Sequence, residues 1–221
     1  MNRSQEEQQG VPSRTAKLVV LSGPSGVGKT TVAERLLRES PVPLVKSVSA
    51  TTRPPRPGEV HGVDYFFLTP DEFFRRREAG EFLETAEVFG NGIWYGTLRD
   101  SVVRLLQDGK WVLSVIDVQG AIAVRKALPD AVSIFLLPEN PTVLLERLRG
   151  RGTEDEETVR LRLQRAEEEL RLADHYRYRV INDRVEDTVA RICGILAFEA
   201  GLTGTYDQKG IVADGGSSHV R

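Results

Sequence analysis

Residues 17–30 read Lys17-Leu18-Val19-Val20-Leu21-Ser22-Gly23-Pro24-Ser25-Gly26-Val27-Gly28-Lys29-Thr30, an apolar run that leads directly into a complete G-x-x-x-x-G-K-[ST] string. Glycines let successive backbone N–H groups turn inward around phosphate oxygens. The start of the following helix adds its positive dipole end, Lys29 supplies a mobile cation, and Thr30 offers a hydroxyl for Mg²⁺. Val32, Leu36 and Leu37 stand at helical spacing after the loop, so the stretch reads as strand, phosphate loop and helix. Gly23 through Thr30, with Thr31, are the candidate residues for a nucleoside triphosphate.

Around this unit the chain has 221 residues, 40% hydrophobic and 28% charged, enough to bury a full core as one domain. Thirty basic residues against thirty-two acidic ones give a formal charge of −2, so no global field draws the protein toward nucleic acid or an anionic membrane. Phosphate binding is then a local property. The single cysteine, Cys193, has no partner for an internal disulfide, and Ile192, Ile195 and Leu196 beside it mark it as a packing residue. His61, His175 and His219 lack metal-ligand spacing. The first fifteen residues carry no apolar signal core, and no run of 18 apolar residues occurs, so a cytoplasmic location is expected.

Short β-prone runs, Leu18–Leu21, Trp111–Ile116, Ala131–Leu136 and Tyr178–Ile181, alternate with helical patterns near 29–39, 119–128, 140–149 and 184–199. That alternation predicts an α/β fold with a parallel sheet covered by helices on both faces. Residues 44–97 break it with a Pro/Arg-rich loop, Thr51 to Gly58, then strand-like Tyr65–Leu68 and Phe82–Val88 around a helical Pro70–Ala79. We read this as an inserted substrate-binding lobe. A second, charged insertion from Arg147 to Arg171 reads as a lid. The expected organisation is a loose tail over 1–15, a domain over 16–200 and a loose tail over 201–221. The domain divides into a core of 16–48 and 98–200, a lobe of 49–97 and a lid of 147–171. Ligands of open α/β sheets gather beyond the carboxyl ends of the strands, where both insertions project.

Three further strings join the loop: Ser47-Val48-Ser49-Ala50-Thr51-Thr52-Arg53-Pro54-Pro55-Arg56-Pro57-Gly58-Glu59, then Gly62-Val63-Asp64-Tyr65, then Arg147-Leu148-Arg149-Gly150-Arg151-Gly152. Together, in order and with compatible spacing from about Lys17 to Glu199, they closely resemble the guanylate kinase family of P-loop kinases. The resemblance implies transfer of the γ-phosphoryl of ATP to GMP, and by extension dGMP, with Mg²⁺. It also implies that Arg53 and Arg56 grip the GMP phosphate with help from Ser49, Tyr65 and Tyr95. Arg147, Arg151 and Arg162 match the lid positions that close over the transferring group. Glu84 and Asp117 match the acids that read guanine, Thr97 matches the hydroxyl on the base, and Asn182 a position near the ATP adenine.

Chemistry gives these residue types independent sense. An ATP triphosphate beside a nucleoside monophosphate crowds about six negative charges together, and two like charges about 4 Å apart cost about 4 kcal/mol at an effective dielectric of about 20. Arginines offset that repulsion bidentately. The acceptor is a phosphate oxygen largely ionised at neutral pH, so no general base is required. Positioning and electrostatics carry the reaction, with Lys29 neutralising charge on the leaving ADP. Guanine's N1–H and N2–H₂ donors call for carboxylate acceptors, and a buried acceptor left unpaired by the wrong base rejects it strongly.

The chain departs from the family pattern twice. Ser114-Val115-Ile116-Asp117 has Val115 where an acidic residue usually stands, so on the Mg²⁺ side either Asp117 is shared between guanine and the metal shell or Thr30 and water suffice. Phe89-Gly90-Asn91-Gly92-Ile93-Trp94-Tyr95-Gly96 is about two residues longer than the usual string, and a bulge near Gly92-Ile93 is expected. A non-catalytic interaction module on the same fold is the rival reading; the intact Gly28-Lys29-Thr30 and the three lid arginines count against it. A GTP-hydrolysing switch lacks its Asn-Lys-x-Asp string here. Monomer and homodimer stay equally open.

Overall fold

A computed structural model of the chain describes residues 16–87, 92–140, 144, 156–202 and 211–213, with 156–159, 161–163 and 211–213 described as backbone only. Its centre is β1 (Leu18–Ser22), buried along its whole length. β1 lies between β7 (Trp111–Val115) and β8 (Val132–Pro138), parallel to both, with Val20 opposite Ser114 on one side and Ser133 on the other. β2 (Leu44–Lys46) extends the sheet beyond β7, and β9 (Tyr178–Asn182) extends it beyond β8, again in parallel. A strand buried on both faces has no need to alternate, which is why Leu-Val-Val-Leu reads as a continuous apolar run.

Two layers of helix cover the sheet. On one face α1 (Lys29–Glu39) and α6 (Val185–Glu199) bury Val32, Leu36, Ile192 and Leu196 against Val19, Leu21 and Leu113. On the other, Val102 of α3 (Arg99–Gln107) and Val118, Ala121 and Val124 of α4 (Val118–Ala127) pack on Leu18, Val20 and Val112. The protein is thus an α/β fold of the P-loop kinase type. No helix among the described residues is long and apolar enough to cross a membrane.

Residues 50–98 build a second sheet in the order β4 (Phe66–Phe67), β3 (Ala50–Thr51), β6 (Trp94–Leu98), β5 (Phe82–Glu87). Its core is Phe73 of α2 (Pro70–Glu78), stacked on Phe82 with ring centroids 4.7 Å apart, beneath Ala50 and Leu98. α2 begins as its sequence dictates: Thr69 Oγ1 accepts from Glu72 N, Pro70 takes the first turn, and Asp71 and Glu72 face the positive dipole end. The charged insertion supplies α5 (Glu156–Arg171), which runs into a 3-10 turn at Ala173–His175.

Five features depart from the sequence reading. β2, β3, β6 and α3 have no place in the expected pattern, yet all four are formed. The carboxyl segment read as loose contributes β10 (Ile211–Ala213), antiparallel to β9 with Val212 opposite Arg179. The pairing satisfies N–H and C=O groups that β9 would otherwise present as an open edge. The expected helix near 140–149 lies, apart from Asn140 and Leu144, outside the described residues.

Candidate active site

The phosphate loop is shaped by glycines with positive φ: +143° at Gly23, +82° at Gly26 and +100° at Gly28. Gly23 has a further reason, since a Cβ there would lie 2.6 Å from the carbonyl oxygen of Leu136 in β8. The loop can therefore sit on the neighbouring strand only with glycine at this position. Gly28, in a left-handed conformation, opens α1, and no side chain caps that helix and no acid occupies its first turn. Its N–H groups and dipole end are left for another anion. Lys29 curls back over the loop, its Nζ donating to Gly23 O at 2.6 Å and Pro24 O at 3.1 Å. Burial pulls the Lys29 ammonium below the ordinary lysine range, while the negative charges of Glu169 and then Asp117 oppose that shift.

Asn182 braces the loop from beneath. Its Nδ2 donates to Val27 O at 2.6 Å and its Oδ1 accepts from Thr188 Oγ1 at 2.9 Å, so both ends of the buried amide are engaged. Thr30 and Thr31 are exposed on the first turn of α1.

Across the cleft, Glu84 of β5 is buried, and its Oε1 accepts from Thr97 Oγ1 of β6 at 2.7 Å. The contact follows from strand register, because Glu84 lies directly opposite Thr97. Burial, with a smaller contribution from nearby Asp117, pushes the Glu84 carboxyl up to about 7, although the Thr97 hydrogen bond works the other way. Asp117 ends the loop after β7 and caps α4, its Oδ1 accepting from Gly120 N at 2.8 Å. Gly120 allows the pair to meet: a Cβ there would lie 2.7 Å from Glu84 Oε2 and 3.2 Å from Asp117 Oδ1.

The Pro/Arg loop makes a third cluster. Arg53 is buried and bonds bidentately to Glu59, with Nη1 to Oε2 at 2.6 Å and Nη2 to Oε1 at 2.7 Å. Its guanidinium carbon lies 5.0 Å from the Tyr65 ring centroid and 5.6 Å from that of Phe67. Tyr65 and Tyr95 meet edge to face at 5.8 Å. Glu59 also accepts from Arg56 N at 2.7 Å, leaving the Arg56 side chain exposed at the rim. Hydrogen bonding from Arg53 holds the Glu59 carboxyl down at about 2.

One cavity of about 190 Å³ carries Lys29 together with Ser49, Tyr65, Tyr95, Glu84 and Asp117. A second, of about 400 Å³, carries Ser25, Lys29, Asp117, Gln119, Arg165 and Glu169. A third, of about 270 Å³, carries Thr30, Glu34, Lys46, Ser49, Asp64 and Val115. Lys29 and Asp117 are common to the first two, and Ser49, Tyr65 and Val115 to the first and third.

Of the residues named from sequence, the structure gathers Lys29, Ser49, Tyr65, Tyr95, Glu84 and Asp117 around one cavity, with Thr97 bonded to Glu84 and Arg53 against Tyr65, while Thr31 and Arg56 stay exposed and Asn182 lies beneath the loop. Arg147 and Arg151 lie outside the described residues, and Arg162 is placed on α5 as backbone only. Phe89, Gly90 and Asn91 are also outside; Gly92 has a φ of +75°. Sequence reasoning missed Glu59, Gly120, Lys46 and Glu169. Glu59 carried a signal that could have found it, an acid three residues after Arg56 in a proline-stiffened loop, and Glu169 a weaker one, its register with Ala166, Leu170 and Ala173.

The guanylate kinase family model matches residues 15–199. The guanylate kinase of Rhodopirellula baltica is 50% identical over 184 residues, 81% of this chain and 87% of the relative. That of Nostoc is 47% identical over 178 residues, 80% and 88% respectively. The crystal structure of guanylate kinase from Anaplasma phagocytophilum superposes with a TM-score of 0.68 at 37% identity, covering 85% of this chain and 87% of that one. A family model that spans nearly the whole described core, relatives of close to half identity and a shared three-dimensional arrangement agree: the chain belongs to the guanylate kinase family.

Proposed function

We propose that the protein transfers the γ-phosphoryl group of ATP to GMP, giving ADP and GDP, and that the two nucleotides meet over Lys29. The observation that carries this is the 190 Å³ cavity in which Lys29 of the phosphate loop shares walls with Ser49, Tyr65, Tyr95, Glu84 and Asp117. ATP lies along Gly23–Thr31 with its phosphates against the open N-terminus of α1, and Asn182 holds the loop for it. GMP lies in the lobe of residues 49–97. Its phosphate is held by Arg53, Arg56, Ser49, Tyr65 and Tyr95, and its guanine by Glu84, Asp117 and Thr97. Arg147, Arg151 and Arg162 close over the transferring group from the lid of residues 147–171. A two-carboxylate pocket suits guanine, whose edge donates where adenine's also accepts, so AMP leaves a buried acceptor unpaired.

Transfer needs no proton acceptor on the protein, because the attacking oxygen arrives ionised. Lys29 is held in place by two loop carbonyls before substrate arrives, so it needs little reorganisation to meet the charge gathering on the β-phosphate. Mg²⁺, when bound, neutralises charge on the β- and γ-oxygens. Thr30 is the hydroxyl that would hold it, with Asp117 able to orient a bound water; apolar Val115 lines the same space. A donor set of one hydroxyl, phosphates and water fits this ion, which keeps several waters. A cytoplasmic location, where both substrates are available, goes with this reading.

The test is ADP release from ATP and Mg²⁺ with each nucleoside monophosphate in turn. GMP should support turnover far above AMP, CMP and UMP, and ADP release with GMP no greater than with these three would overturn the assignment. Lys29→Ala should abolish turnover in a folded protein.

A further inference from the structure

In the structure the phosphate loop already holds an anion, and it comes from the lid helix. Along α5 and into the following turn, Ala166, Leu170 and Ala173 form the inward stripe at i, i+4 and i+7, with Ala166 packed on Leu144 and Leu170 and Ala173 in the core. Glu169 falls on that stripe, whereas Glu167 and Glu168 are exposed. Its Oε2 accepts from Ser25 N of the loop at 3.3 Å. Glu169 is also the strongest charged influence on Lys29, ahead of Asp117. Burial lifts the Glu169 carboxyl above the ordinary range, with Lys29, the Ser25 N–H and then Arg165 of the same helix pulling the other way, so the position is costly in itself and is offset chiefly by loop contacts.

The loop side is complementary. α1 begins without a capping side chain and without an acid in its first turn, and among the described residues Lys29 donates to neutral carbonyls only. Ser25, Lys29 and Glu169 line one cavity together with Arg165.

We infer that Glu169 is the resident anion of the empty donor site: its carboxylate occupies the Ser25 N–H and faces Lys29 where an ATP phosphate oxygen belongs, so that ATP binds by displacing it and thereby unties α5 from the loop. This rests on the assignment of the loop to ATP. Glu169 is a positioning residue here, acting through Lys29 and the loop and touching no reacting atom. Its effect falls on donor affinity: a tethered carboxylate competes with the triphosphate, and the competition is lost when its charge is removed.

The experiment is calorimetric titration of the full chain with Mg²⁺-ATP, and separately with adenosine, for the wild type and for Glu169→Gln and Glu168→Gln. Glu169→Gln should tighten ATP binding about three- to tenfold and leave adenosine unchanged. The KM for ATP should fall with it while the KM for GMP stays. Glu168→Gln makes the same change of charge one residue away on the wall of the same cavity, where the carboxylate accepts from Gln164 Nε2 and not from the loop, and should have a clearly smaller effect. The Ser25 amide resonance should differ between wild type and Glu169→Gln in the free protein and coincide once ATP is bound. Unchanged or weaker ATP binding in Glu169→Gln, or an equal gain in Glu168→Gln, would overturn the inference. If Glu169→Gln does not fold, Glu169→Asp, which draws the carboxylate back by one methylene, is read the same way. Wild-type turnover with GMP tests the function separately, so failure of one is distinguishable from failure of the other.

Discussion

Glu84 and Thr97 face each other across β5 and β6, and the 2.7 Å hydrogen bond between them is the one direct side-chain contact among the residues assigned to guanine. It holds a carboxyl that burial has pushed up to about 7. With the folded value above the unfolded one, neutral Glu84 favours the fold at low pH, and that contribution is lost as pH rises through 4.5 toward 7. Glu84→Gln should accordingly stabilise the empty protein at pH 8, by up to about 3 kcal/mol at 1.36 kcal/mol per unit. Thermal unfolding at pH 5 and pH 8 measures the difference, and equal gains at both would show that Glu84 titrates normally.

GMP affinity should move the opposite way. Guanine donors need the carboxylate, so binding tightens as pH rises through about 7, with about a tenfold gain between pH 6 and pH 8 from Glu84 alone. The GMP phosphate, with a second pKa of about 6, titrates nearby. The informative quantity is therefore the part of the pH dependence that disappears in Glu84→Gln.

Gly120→Ala should separate binding from folding. The new methyl would sit 2.7 Å from Glu84 Oε2, displacing a carboxylate that reads the base, yet alanine is favoured over glycine inside a helix by about 1 kcal/mol. The KM for GMP should rise about tenfold or more, with little change in melting temperature or in the KM for ATP. A parallel loss of ATP affinity would mean that α4 itself had moved.

Glu59→Gln should raise the KM for GMP about three- to tenfold, because it breaks a bidentate pair that aims Arg53 beside Tyr65 and Tyr95. The KM for ATP should not change. An unaltered KM for GMP would show that Pro54 O and the rings suffice to orient Arg53.

Val115→Glu should reduce the Mg²⁺ concentration needed for half-maximal activity several-fold. The position is half-buried against the core around β1 and lines the cavities of about 190 and 270 Å³, so an unpaired carboxyl there should also cost about 1–3 kcal/mol of stability without the ion. An activity curve unmoved along the Mg²⁺ axis would mean that the position is silent.

The donor half of the site was legible because its information is local: eight consecutive residues fix the loop, and the apolar runs at β1, β7, β8 and β9 fix its sheet. β2 is only three residues long between Pro43 and Ser47, and its pairing with β7 supplies what its own sequence lacks. α3 follows β6 directly, with Leu98 at its cap and no side-chain hydrogen bond, so the usual start signal is missing. Gly120 and Glu169 act across elements distant in sequence. In the string Glu167-Glu168-Glu169 only the register of Ala166, Leu170 and Ala173 singles out the third acid.

Asn182 and Val27 are 155 positions apart, and this has a consequence for synthesis. The phosphate loop leaves the ribosome early, complete in sequence, but its brace arrives with β9, and Thr188, which orients that brace, arrives with α6. Until the chain reaches about residue 190 the loop lacks its floor, and nascent chains should not retain ATP. Closing so long a loop is entropically slow, so nucleotide binding should appear as one of the last events of folding, together with docking of the carboxyl-terminal strand and helix.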